Sequence, residues 1–359
     1  MNLCLDLLAR IIDTASEIGA SDIHLNAESY PFYRVDGAIQ ASCGIEYPSG
    51  TIHEMAVAMM NAGQREIFEK TQTLDFSYTG ENGERFRVNV FRERGNTSMA
   101  IRRLDGSFET LEDLNLPSQF AELADEPDGL VLVTGPTGSG KSTSLAALLH
   151  RINQTRPCHI MTIEDPIEHL HVNAQSIVSQ REVHTDVASF PAAIRTALRE
   201  DPDVILVGEM RDLETIRAAI TAAETGHTVY STLHTNDCVG SIDRMISSFP
   251  ASEQNYVREQ MSRVLRAVVS QRLVPTGNGG RVPVLEIMRV NQAISNLIRI
   301  GDLHQIQTVM QTSGSDGNYM LEQSLAELVA SDRLPLGVAQ SCARDPSILA
   351  SRLEMSAAY

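Results

Sequence analysis

The stretch Leu130-Val131-Leu132-Val133-Thr134-Gly135-Pro136-Thr137-Gly138-Ser139-Gly140-Lys141-Ser142-Thr143 decides how this chain folds. An apolar run that ends in a turn signal reads as a buried strand, and Ser144 to Ile152 is helix-prone. Strand, glycine-rich loop and helix in that order is the setting of a P-loop. Its glycines let successive backbone N–H groups turn inward around a phosphate that side chains would keep away. The helix N-terminus adds partial positive charge at the same spot. Gly135 to Thr143 is therefore the expected cradle for ATP or a similar nucleoside triphosphate, with Lys141 directed to the β- and γ-phosphates. The Ser142 hydroxyl is the expected protein ligand to Mg²⁺.

Outward from the loop, apolar runs at Leu130–Thr134, His159–Ile163, Val204–Gly208 and Thr228–Thr232 alternate with helical segments at Thr143–Gln154, Ser189–Arg199, Asp212–Ala223 and Cys238–Ile246. That alternation predicts an α/β unit, a largely parallel sheet covered on both faces. Beyond residue 250 the pattern reads as mostly helical, with Val257, Met261, Val264, Leu265 and Val268 on one long amphipathic helix. Upstream, Leu3 to Ile18 has helical spacing, and a further helix is expected over His53–Glu69. Strands are expected at Ser21–Leu25, Phe32–Val35, Thr73–Tyr78, Arg85–Arg92 and Thr97–Leu104. The domains expected are thus an α+β domain over 1–105, a linker over 106–117, and a nucleotide-binding α/β domain over 118–359.

Bulk properties narrow the class. A chain of 359 residues with 42% hydrophobic and 21% charged residues is ordinary for a soluble globular protein. Asp6 and Asp13 interrupt the N-terminal leucines, so no signal peptide is expected. Cys4, Cys43, Cys158, Cys238 and Cys342 are dispersed, which argues for reduced thiols in a cytoplasmic protein. A net charge of −17 opposes nucleic acid, and no basic stripe offsets it.

Three acidic and histidine clusters point to hydrolysis. Glu164 and Glu168 lie in Thr162-Ile163-Glu164-Asp165-Pro166-Ile167-Glu168, after one apolar strand. Glu209 follows another, in Val207-Gly208-Glu209-Met210-Arg211-Asp212, with Gly208 where many P-loop enzymes carry Asp. Strand C-terminal ends in such sheets converge on the ligand crevice, where carboxylates orient Mg²⁺-bound or attacking water. Capping of the following helices is the competing reading. His227 and His234 flank the strand between them, and His234, at the carboxyl end, is placed to sense the γ-phosphate. Alternation puts Arg85 and Arg87 on one polar face, with Arg102 joining Arg87 if the strands pair. Arginines there are candidate fingers for phosphoryl transfer.

Taken together, these pieces resemble the secretion ATPase superfamily, and within it the type IV pilus retraction ATPases of the PilT family. The similarity runs through GASDIHL at 19–25, RVDG at 34–37, GPTGSGKST at 135–143, TIEDPIE at 162–168, ALREDPDVILVGEMRDLETIR at 197–217, AAETGHTVYSTLHT at 222–235 and QRL at 271–273. The resemblance implies a PAS-like N-terminal domain joined to a RecA-like ATPase domain with a helical C-terminal extension. It implies that Glu168 is the catalytic carboxylate of the acidic box and Glu209 the Walker B glutamate, acting on Mg²⁺ through water. By motif, His227 and His234 form the histidine box, and Arg87 and Arg102 match the arginine fingers. The partners it implies are a homo-hexamer and an inner-membrane pilus platform protein, met at the cytoplasmic face of the membrane.

The family's AIRNLIRE signature appears as Ala293-Ile294-Ser295-Asn296-Leu297-Ile298-Arg299-Ile300, with Ser295 for arginine and Ile300 for glutamate. The stretch from Asp316 to Tyr319 departs slightly from the family's usual loop. A motor for type IVB secretion or conjugation, and an accessory ATP-binding switch with little hydrolysis, are the alternatives; a nucleic-acid translocase is disfavoured by the acidic charge.

Overall fold

The computed structural model describes residues 3–42, 46–80, 82–104, 109–277 and 279–357. Cys43 and the first residues of the expected linker, 106–108, lie outside them. The chain divides into two compact units. One comprises residues 1–107 with 164–170 and 180–189; the other comprises 108–163, 171–179 and 190–359.

The first unit is α+β. Helix α1 (Leu3–Glu17) precedes strands β1 (Asp22–Leu25), β2 (Phe32–Val35) and β3 (Ala38–Ala41). Helices α2 (Ser49–Met59) and α3 (Ala62–Thr71) lead into β4 (Thr73–Thr79), β5 (Arg85–Glu93) and β6 (Asn96–Leu104). The sheet order is β3-β2-β1-β6-β5-β4, and every pair in it is antiparallel. Alternation decides its faces: Phe86, Val88 and Val90 of β5 are buried in a core shared with Leu8, Ile12, Met55, Phe68 and Ile101. The single helix expected over His53–Glu69 is two. Asn61 adopts an extended backbone and accepts the Gln64 N–H, while the Gln64 side chain accepts the Asn61 N–H, a reciprocal cap that starts a new helix. Strand β3 was not foreseen, because all its side chains are exposed and carry no alternation.

The second unit is α/β. Its sheet runs β13-β12-β7-β11-β10-β8-β9, from β7 (Gly129–Thr134), β8 (His159–Glu164), β9 (Ile177–Glu182), β10 (Val204–Val207), β11 (Thr228–Leu233), β12 (Leu265–Pro275) and β13 (Arg281–Arg289). Strands β12, β7, β11, β10 and β8 pair in parallel, and β13 returns antiparallel on β12. Every residue of β7 and β11 is buried, as a sheet covered on both faces requires. Helices α4 (Ser118–Ala121), α5 (Lys141–Thr155), α6 (Phe190–Ala197), α7 (Leu213–Glu224), α8 (Cys238–Ser247) and α9 (Gln254–Val264) fall between or beside the strands. The C-terminal helices are α10 (Gln292–Ile300), α11 (Ile306–Thr312), α12 (Leu321–Ala330), α13 (Leu336–Cys342) and α14 (Pro346–Ala357).

One expectation fails here. The long helix through Val257 and Val268 ends at Val264, and Leu265 turns to an extended backbone that begins β12. Short apolar runs do not separate buried strand from buried helix by spacing. Partnership decides: Ala267, Val268 and Val269 register against Val131, Leu132 and Val133 of β7, inside the sheet. The region after residue 250 is therefore helical only around a two-stranded insert, β12–β13.

Candidate nucleotide site

In the second unit the loop after β7 lies at the carboxyl end of the parallel sheet. Gly135 donates its N–H to the Leu233 carbonyl at 3.3 Å, which seats the loop's entrance on the end of β11. Its φ is +149°, and a Cβ there would fall 2.2 Å from the Gln271 carbonyl oxygen, so only glycine fits. Gly140, left-handed with φ +84°, turns the chain into α5. Gln271 of β12 braces the loop from behind. Its Nε2 donates to the Ser139 carbonyl at 2.8 Å, and its Oε1 accepts the Ser144 hydroxyl at 2.9 Å. This bracing role was missed from the sequence, although the motif at 271–273 marked the position. It depends on β12 lying beside β7, which the expected helix concealed.

Lys141 opens α5 and is buried, donating its Nζ to the Gly135 and Pro136 carbonyls, both at 3.0 Å. Burial lowers the pKa of its ammonium, and the Glu209 carboxylate opposes that shift. The Ser139 and Thr134 hydroxyl oxygens are buried with no hydrogen-bond partner among the described residues. Ser142 is exposed on the first turn of α5. A lysine, a helix N-terminus and a tight glycine loop brought together match the donor set that a polyphosphate needs.

Glu209 stands just beyond β10. Met210 donates to the Thr232 carbonyl at 3.1 Å, and the Thr232 hydroxyl donates to the Gly208 carbonyl at 2.7 Å, so this segment is stitched to β11. His234, immediately after β11, brings its Nε2 within 3.3 Å of the Glu209 carboxylate. Arg211 pairs with the same oxygen at 2.7 Å. Lys141, Glu209 and His234 thus share the carboxyl end of the sheet. His227 does not join them. It precedes β11 at the amino end, where its Nδ1 lies 3.1 Å from both the Ala222 carbonyl and the Thr225 hydroxyl.

The remaining expected residues belong to the first unit. Arg87 and Arg102 face each other across β5 and β6 and so project from one face of that sheet. They are committed differently. Arg87 donates from Nη2 and Nε to Asp75 Oδ2, at 2.6 and 3.0 Å, with Nε also 3.3 Å from Oδ1, and forms a second pair with Glu168 at 3.2 Å. The Asp75 bond raises its pKa against the cost of burial, with the Asp75, Glu168 and Asp165 charges adding to it. Arg102 has 66% of its side chain exposed and meets only Asp22 among the described residues, at 2.7 Å. Arg85 donates to the Glu168 carbonyl at 3.4 Å. Glu164 accepts from Gln180 Nε2 at 3.3 Å. Glu164 and Glu168 therefore sit with the arginines, because 164–170 packs as part of the first unit.

Comparison with known proteins decides the family. Residues 2–333 match the family described as type II/IV secretion system protein. The chain belongs to this family of secretion ATPases. It is 46% identical over 323 residues to the type IV pilus retraction ATPase PilT of Pseudomonas aeruginosa, covering 90% of this chain and 94% of that protein. It is 47% identical over 300 residues to a twitching motility protein of Neisseria gonorrhoeae, covering 83% of this chain and 80% of that one. A crystal structure of the pilus retraction motor PilT with bound ADP superposes with a TM-score of 0.86 at 44% identity, over 96% of this chain and 98% of that one. This ATPase thus has the N-terminal domain and RecA-like domain of the retraction motors, with C-terminal helices. No helix among the described residues is long and apolar enough to cross a membrane.

Proposed function

We propose that this secretion ATPase is a homo-hexameric motor that hydrolyses Mg-ATP and spends the energy on pilus retraction, acting on an inner-membrane platform protein from the cytoplasmic side. The observation that carries the hydrolytic reading is the meeting of Lys141, Glu209 and His234 at the carboxyl end of the sheet, next to a loop closed by Gly135. The retraction reading is supported by the similarity to retraction ATPases along both domains.

In this proposal the backbone N–H groups of Gly135 to Thr143 hold the phosphates, and Lys141 exchanges its two loop carbonyls for phosphate oxygens. Ser142 and Glu209 offer hard oxygen donors of the kind Mg²⁺ takes, Glu209 through water. Bound Mg²⁺ supplies charge neutralisation on the transferring phosphoryl group. His234, steered by Glu209, donates a hydrogen bond at the γ-phosphate. Sensing falls to His234 alone, since His227 lies at the other end of β11. Glu168 polarises the attacking water, and Arg102, mostly exposed, is the readier of the two arginines to reach a nucleotide. Arg87 must first release Asp75 and Glu168.

Steady-state Mg-ATPase activity of the full chain, with and without DNA, tests this. Turnover unaffected by DNA is expected. Lys141→Ala should lose at least about 100-fold in rate, and Glu209→Gln should retain ATP while losing turnover on the scale of one transition-state contact, about 100-fold. Wild-type turnover in either variant, or stimulation by DNA, would overturn the assignment.

A further inference from the structure

Glu182 closes β9, and its carboxylate is buried in the first unit. One oxygen, Oε1, accepts the Ser77 N–H at 3.2 Å and the Thr185 hydroxyl at 3.0 Å. The other, Oε2, accepts the Ile167 N–H at 3.1 Å. Those two backbone donors are not arbitrary. Ser77 is the residue directly opposite Arg87 in the β4–β5 register. Ile167 is the residue immediately before Glu168. One carboxylate therefore holds, through its two oxygens, the neighbour of each partner in the Arg87–Glu168 pair. Thr185 is fixed in turn by Gln64, whose Nε2 donates to its hydroxyl oxygen at 3.0 Å. Asp186 turns the chain just beyond, accepting the Glu182 N–H at 2.8 Å.

We infer that Glu182 is a positioning residue for the acidic box: it sets the Glu168 carboxylate against Arg87 by clamping the backbone on both sides, without itself touching nucleotide. Nothing in the motif resemblance assigned it a role. Its chemistry suits the task. A carboxylate is a strong acceptor for backbone N–H groups, and it accepts at both oxygens, whereas an amide must turn its NH₂ group toward one of the two donors. Arg85 sits in the same field; burial lowers its pKa while Glu182 and Glu164 act to raise it. The inference rests on the proposal that Glu168 works in hydrolysis.

Glu182→Gln in the full chain is the test, beside Glu168→Gln and the double variant. A misplaced catalytic carboxylate costs rate and not nucleotide binding. Glu182→Gln should lower kcat about tenfold with KM for ATP unchanged, and the double variant should be no slower than Glu168→Gln. Slow Glu168→Gln with full-speed Glu182→Gln would overturn the positioning role alone. Full-speed Glu168→Gln would overturn the hydrolytic role of Glu168 and the positioning role with it. Losses that multiply in the double variant, or a loss confined to KM, would also overturn it. If Glu182→Gln does not fold, Thr185→Val decides, since it keeps the carboxylate but removes the hydroxyl that steadies it. A kcat reduced about threefold at unchanged KM supports the clamp, and wild-type kcat overturns it.

Discussion

A methyl group at residue 135 would stand 2.2 Å from the Gln271 carbonyl and 2.6 Å from the Ser139 hydroxyl, in a backbone region closed to other L-residues. Gly135→Ala should therefore cost about 1–3 kcal/mol of stability and abolish nucleotide binding, read as a lower urea midpoint and no thermal shift with ATP. Single residues also show how little of the site's wiring a sequence carries. Glu209 was legible as an acidic residue after an apolar strand, and the structure adds its partners, Arg211 and His234. Gln271 was legible only as part of a motif. A glutamine whose amide bonds the loop at Ser139 and the following helix at Ser144 carries no periodic or compositional signal. Gln271→Ala removes both bonds and should weaken ATP binding about tenfold, measurable by calorimetry with the fold intact.

Among the elements, β1 and β6 meet through Asp22 and Arg102, which are register partners. Burial acts to raise the Asp22 pKa, but hydrogen bonds from Arg102 and Ser21 prevail and lower it. A carboxyl whose folded pKa is depressed adds stability above its unfolded pKa, near ~3.9, and loses it as pH falls through the folded value. Asp22→Asn should therefore lower stability at pH 7 and narrow the gap between pH 7 and pH 3, as urea midpoints at the two values would show. Alternation put Arg87 and Arg102 on the polar faces of their own strands, and the β5–β6 register brings both to one face. The split between α2 and α3 and the β12–β13 insert were not readable from spacing. Capping at Asn61 and partnership with β7 overrode patterns that read equally well as continuous helix. In α10, Ser295 takes a structural contact, its hydroxyl donating to the Ser262 carbonyl at 2.6 Å, while Ile300 is 60% exposed.

At the scale of the whole molecule, each unit has a core of its own. The first is not closed by residues 1–107 alone, since Ser77 and Gln64 find acceptors on Glu182 and Thr185. A fragment of residues 1–107 should accordingly unfold at lower urea than the same sheet in the full chain, followed by exchange of the Ser77 amide. Equal protection in the two would show that 180–189 adds nothing to that unit. By itself the sequence determined the classes of secondary structure in the two units and singled out the glycine-rich loop and the candidate carboxylates, histidines and arginines, because local spacing and short motifs carry those signals. Only the tertiary structure decided which of them meet. Glu164 and Glu168 follow a strand of one unit yet pack with the other, and Arg87 answers to Asp75 and Glu168. Contacts between residues far apart in the chain are set by which surfaces bury together, and no stretch of sequence records that.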